Sequence, residues 1–164
     1  MIREPIKILG INPGTRYIGY AVLYGQELMD WGIKVLEGKW SEKKINKAIE
    51  IVSDLIERYD PTILTIKKLH PARRTANLLK LANNIKNTAR IRKIRIIQYS
   101  IKEIEKRFIE GAKLNKGNLI EAILKLCPAI GHDLVDEKSK KQKYLIRAFE
   151  AVALARNSFF CPRP

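Results

Sequence analysis

Asn12 closes the apolar run Ile6-Lys7-Ile8-Leu9-Gly10-Ile11 and is followed at once by Pro13-Gly14. A β-branched run that ends in a Pro-Gly turn reads as a strand leaving its sheet, and such an end is a natural place for chemistry. A carboxylate there would make a metal site, because divalent cations take charged oxygen ligands. An amide does not supply that charge. The other residues suited to chemistry are cations: between Asp60 and Glu103 the chain has no acid, while Lys67, Lys68, Arg73, Arg74, Lys80, Lys86 and Arg90 fall in this stretch. A basic surface without countercharge suits phosphate. Cys127 and Cys161 have neither the spacing nor the histidine neighbours of a zinc site and read as reduced and structural.

The whole chain repeats this bias. Its 164 residues carry 32 Lys and Arg against 17 Asp and Glu, a formal charge of +15, with 46% hydrophobic content. That is enough for one domain with a core, expected over 1–160 with a short tail at 161–164. A surplus of this size points to a polyanionic partner, nucleic acid before a membrane surface. No apolar run approaches the roughly 18 residues that span a bilayer, and Met-Ile-Arg-Glu-Pro lacks the apolar core of a signal peptide, so the protein is expected to be cytoplasmic with no membrane partner.

Elements must hold these residues in place. Ile6–Leu23 reads as a hairpin, Glu27–Leu36 as a third strand, and together they form an antiparallel meander. Ser41 caps a helix to about Tyr59, with Ile45, Ala48, Ile49, Val52, Leu55 and Ile56 on one face and Pro61 ending it. Thr62–Ile66 is a fourth strand. Pro71 opens a second helix, predicted from Ala72 to about Arg90, and Ile94–Tyr99 is the fifth strand. Ser100 caps a short helix with Ile101, Ile104 and Phe108 inward, Asn118–Cys127 makes another, and 129–141 is a charged loop. A last helix is predicted from Gln142 to Asn157, burying Leu145, Phe149, Val152 and Ala153 on one side. Trp31 and Trp40 read as core or edge packing. The sheet is therefore mixed, three antiparallel strands followed by two parallel ones, flanked by helices.

The residues Ile8-Leu9-Gly10-Ile11-Asn12-Pro13-Gly14-Thr15-Arg16-Tyr17-Ile18-Gly19-Tyr20-Ala21-Val22 resemble the opening of the RuvC family of Holliday-junction resolvases, of RNase H-like fold, whose members read Gly-Ile-Asp-Pro-Gly there. Thr65-Ile66-Lys67 stands where the family has Ala-Ile-Glu. Leu78-Leu79-Lys80-Leu81-Ala82 is similar to a family helix. The stretch Ile101-Lys102 to Lys116, with Ile120 and Leu124-Lys125-Leu126, follows the family's basic linker and amphipathic helix. Arg147-Ala148-Phe149-Glu150-Ala151-Val152-Ala153-Leu154-Ala155 resembles its last helix, in which two Asp three apart precede Ala-Leu-Ala.

The resemblance implies a two-metal site of four acids, which fall here on Asn12, Lys67, Arg147 and Glu150. Only Glu150 is acidic, a change of roughly five charge units in the positive direction, so two-metal catalysis is not expected and no resident metal or cofactor is. Lys67 and Arg147 are then left to bind a phosphate or to pair with Glu150, which lies three residues from Arg147 on a helix. The resemblance puts Lys67, Lys68, His70, Arg73, Arg74, Lys80, Lys102, Lys113, Lys116 and Arg147 on a nucleic-acid face, with His70 near a base-wedging position, and the second helix at a homodimer interface.

The function this implies is a catalytically inactive RuvC-like protein that binds branched or junction DNA. The alternatives are a divergent nuclease that uses Mg²⁺ and recruits Asp133, Asp136 or Glu137 beside Glu150, and a scaffold that binds RNA or an acidic protein. His132 has no assigned role.

Overall fold

The computed structural model describes residues 4–128, 130 and 143–160. Alternation decides which side of the sheet each strand residue faces. In β1 (Lys7–Asn12), Leu9 and Ile11 join one buried cluster, while Ile8 joins the other. β2 (Tyr17–Tyr24) divides likewise, with Ile18, Tyr20 and Val22 on one side and Ala21 and Leu23 on the other. Both strands are therefore buried on both faces and read as nearly continuous apolar runs.

β1 pairs antiparallel with β2, and β2 with β3 (Glu27–Val35), as the meander reading requires. β4 (Ile63–Lys67) then lies parallel to the free side of β1, and β5 (Arg95–Tyr99) parallel to β4, giving the order β3-β2-β1-β4-β5. The predicted mixed sheet is the observed one.

Two helices cover the face of Leu9 and Ile11. α1 (Glu42–Tyr59) buries Ile45, Ala48, Val52, Leu55 and Ile56, and Asp60 ends it in the left-handed conformation at φ 48°. α2 (Ala76–Ile91) buries Leu81, Ala82, Ile85 and Ala89. It starts later than the predicted Ala72. The Thr75 side chain accepts from the Leu78 N–H at 3.1 Å and caps the helix there. Residues 70–74 make a separate turn in which His70 Nδ1 accepts from the Ala72 N–H at 3.1 Å. Trp40 packs on this side of the sheet and Trp31 on the other.

The opposite face is covered by α5 (Lys143–Phe160), backed by α3 (Ile101–Phe108) and α4 (Lys116–Leu126). Ser100 and Glu103 close a capping box at the head of α3, and Asn115 caps α4. The predicted single buried side of the last helix is too modest. Every residue from Ala148 to Ser158 is buried, because the sheet lies on one side of α5 and α3 and α4 lie on the other. The helix also runs past Asn157 to Phe160. Asp133, Asp136, Glu137, His132, Cys161 and the 161–164 tail fall outside the described residues. Cys127 is buried, and burial pushes its thiol up, which keeps it protonated.

Candidate nucleic-acid site

Four strands finish and three helices begin at one end of the sheet. β1 and β4 run parallel and finish there with Asn12 and Lys67, which follow the paired Ile11 and Ile66. Counting by two from Gly10 and Thr65 places Asn12 and Lys67 on the face that α5 covers. β3, antiparallel to β2 and so parallel to β1, also finishes at this end. Consequently α1, α2 and α3, which follow β3, β4 and β5, all begin here.

Two glycines set how α5 lies on the sheet. A Cβ at Gly19 would stand 2.2 Å from the Arg147 carbonyl oxygen, and one at Gly10 would stand 2.4 Å from that of Ala151. Only bare backbone admits the helix at this distance. Close contact on β1 and β2 brings Arg147 and Glu150 onto the strand ends. A buried hydrogen bond between Thr65 and Ser158 ties the other end of α5 to β4.

The resulting cluster holds all four positions. The Asn12 amide, itself 1% exposed, donates to Glu150 Oε2 at 3.1 Å and toward the Arg147 carbonyl oxygen at 3.4 Å. Both partners are acceptors, so the amide nitrogen must face them. Lys67 Nζ donates to the same Glu150 Oε2 at 3.2 Å, from a side chain that keeps 26% of its surface open. Arg147 does not join that pair. Its guanidinium donates to the Pro13 carbonyl oxygen at 3.2 Å and lies over Gly14, where a Cβ would meet it at 2.6 Å. The expected pairing of Arg147 with Glu150 thus gives way to a backbone contact, because the Pro-Gly turn offers a carbonyl within reach.

A pair of divalent ions does not fit these donors. Such ions require several hard oxygens apiece, mostly carboxylate. Among the described residues one carboxylate stands here, and its Oε2 already accepts from an ammonium and an amide. Among the described residues no group of three or more His, Cys, Asp and Glu side chains is placed to hold a metal. The cluster can instead offer one half-open ammonium and one half-buried guanidinium to an anion.

The remaining sequence-predicted cations lie around it unequally. Lys68, His70, Arg73 and Arg74 are exposed between β4 and α2, and Lys102 is exposed in the first turn of α3. Lys113 and Lys116 are exposed at the head of α4. Lys80 is 2.7 Å from Glu42, and Arg92 is 3.3 Å from Glu57, so α1 supplies countercharge that the acid-free stretch lacks in sequence. Lys44 was missed: its Nζ donates to the Thr15 carbonyl oxygen at 3.0 Å, which draws the lysine-rich start of α1 against the same Pro-Gly turn. The direction of β3 was the available signal.

The family model for crossover junction endodeoxyribonuclease RuvC matches residues 8–152. The chain is 23% identical over 140 residues to the RuvC of Hydrogenovibrio crunogenus, spanning 79% of this chain and 81% of that one. It is 23% identical over 139 residues to the RuvC of Proteus mirabilis, spanning 79% and 80%. Among solved structures it is similar to Thermus thermophilus RuvC in complex with a Holliday junction substrate, with TM-score 0.71 and 12% identity over 94% of both chains. It also resembles the yeast mitochondrial Holliday junction resolvase Ydc2, with TM-score 0.70 and 12% identity over 97% of this chain and 80% of that one. No helix among the described residues is long and apolar enough to cross a membrane. With the match running from the first strand into the last helix, the chain belongs to the crossover junction endodeoxyribonuclease RuvC family.

Proposed function

We propose that this protein binds branched DNA at the end of the sheet where Asn12 and Lys67 lie, and does not cleave it. The contact between Lys67 Nζ and Glu150 Oε2 at 3.2 Å carries this reading. A nuclease of two-metal type needs clustered carboxylates both to generate hydroxide and to neutralise the leaving oxygen. The cluster instead puts protein cations beside its one acid. Lys67 and Arg147 keep the attraction for a phosphodiester without supplying a nucleophile. The exposed cations from Lys68 to Arg74, with Lys102, extend that attraction around the rim. Membership of the family favours a junction as the preferred shape, and its pairing of two subunits on a two-fold junction favours a homodimer through α2.

The test is a four-way junction titrated with purified protein at several salt concentrations, followed by incubation in Mg²⁺ and in Mn²⁺. Binding that weakens steeply with salt, preference for the junction over plain duplex, and intact strands are expected. Cleavage that disappears in Glu150→Gln would instead establish a metal-dependent nuclease. Equal affinity for junction DNA and unrelated polyanions would establish a scaffold.

A further inference from the structure

Beside the β1–β2 turn lies an open cleft of about 300 Å³, lined by Glu37, Lys39, Lys43, Lys44 and Lys47 among others. Four ammonium groups around one hollow repel each other unless an anion lies between them. Glu37 sets one negative charge against the four, and the other nearby acids do little to relieve the remainder. Glu42 is bound to Lys80, and the Lys47–Glu50 pair spans 3.6 Å with both side chains more than half exposed, where ion pairs contribute little. Among the described residues Lys39, Lys43 and Lys44 form no ion pair within 4.0 Å.

The cleft is joined to the Asn12 cluster by direct contacts. Lys44 is held on the Thr15 carbonyl oxygen, the Leu36 N–H donates to the Arg16 carbonyl oxygen at 2.8 Å, and Arg147 holds Pro13 from the other side of the turn. Cations thus run from Lys67 and Arg147 across the turn, past exposed Arg16, to Lys47. We infer that this cleft holds the phosphodiester backbone of a duplex arm whose neighbouring strand lies at Lys67, a reading that rests on the proposed function and extends its footprint to α1. Lysines on mobile stems bind phosphate as point charges without reading sequence, so the contact is indifferent to base identity.

The experiment compares the unaltered protein with K39Q/K43Q/K47Q, which leaves Lys44 to brace the turn, and with K7Q/K93Q/R95Q, which removes equal charge from the opposite end of the sheet. Affinity for a four-way junction is measured across a salt series, and thermal melting checks that each variant is folded. The first variant is expected to flatten the slope of log K against log salt by about 2 to 3, and the second to leave it nearly unchanged. Equal flattening by both variants would mean a net-charge effect and overturn the cleft assignment. So would an unchanged slope in the first variant while the unaltered protein binds. If the unaltered protein binds neither junction nor duplex, the proposed function itself fails and this extension with it.

Discussion

Lys67 Nζ and the Asn12 amide both donate to Glu150 Oε2, from 3.2 Å and 3.1 Å. Neither donor is adjacent to Glu150 in sequence, and together they stabilise a carboxylate whose side chain is only 3% exposed. A charge buried to that extent must be paired.

Removing both partners should therefore cost less than the two single losses added together. Lys67→Met is expected to destabilise the fold by about 2 kcal/mol, and Glu150→Gln by about 1 kcal/mol, since the amide still accepts from Asn12. The double variant should lose less than the sum, with a coupling of about 1 kcal/mol or more, read by urea unfolding of all four proteins. Strict additivity would mean the two side chains do not interact.

Asn12→Asp combined with Lys67→Glu would put three carboxylates at the strand ends. At neutral pH they should repel and lower the melting temperature by several degrees, and Mn²⁺ should reverse this. Metal at about 100 times its dissociation constant adds about 2.7 kcal/mol. The unaltered protein should not respond to Mn²⁺ in the same melting assay. A matching response from both proteins would show that the amide and the ammonium are not what makes the cluster unfit for metal.

The contact of α5 with β2 predicts a contrast between glycines. Gly19→Ala forces a Cβ to within 2.2 Å of the Arg147 carbonyl oxygen, and backbone on both sides leaves little room to give. A loss of about 3 kcal/mol is expected, together with weaker junction binding as Arg147 and Glu150 are pushed off the strand ends. In Gly117→Ala the nearest atom would be 3.5 Å away, within the first turn of α4. That change should gain about 0.5 kcal/mol through helix propensity. Equal melting temperatures for the two variants would remove the argument for close packing.

Alkaline unfolding should report on Tyr20. Burial first, then the Asp30 carboxylate, pushes its hydroxyl up from 10.0 to about 12. Tyr59 shifts in the same direction, chiefly through its hydrogen bond to Asp30 at 2.6 Å. The fold prefers the protonated ring, so the stability is complete below pH 10. It falls as the unfolded chain ionises above pH 10, and is gone once the folded protein ionises near pH 12. The loss attributable to Tyr20 is on the order of 2 kcal/mol. Tyr20→Phe should be nearly neutral at pH 7 and should flatten this decline, measured as urea midpoint against pH.

Much of the fold was legible because strand and helix periods are local. The runs ending at Asn12, Lys67 and Tyr99 alternate or are apolar throughout, and the spacing from Ile45 to Ile56 is helical, so the mixed sheet and α1 follow from pattern alone. The start of α2 was misread because Pro71 is a strong opening signal, yet the Thr75 hydroxyl, four residues further on, captures the Leu78 N–H and starts the helix there. For α5, the pattern showed one apolar side. That both sides are buried depends on where α3 and α4 come to rest.

Residue types alone determined that of Asn12, Lys67, Arg147 and Glu150 only one is an acid, because charge belongs to the side chain and not to its setting. Which cation meets that acid was decided only in three dimensions. Lys67 and Glu150 are 83 residues apart, whereas Arg147, three residues away on the same helix, is drawn to the Pro13 carbonyl instead. The same holds for the lysines of α1. Their sign is written in the chain, but their place beside Thr15 comes from β3 running parallel to β1, a relation that strand pairing creates and sequence distance does not encode.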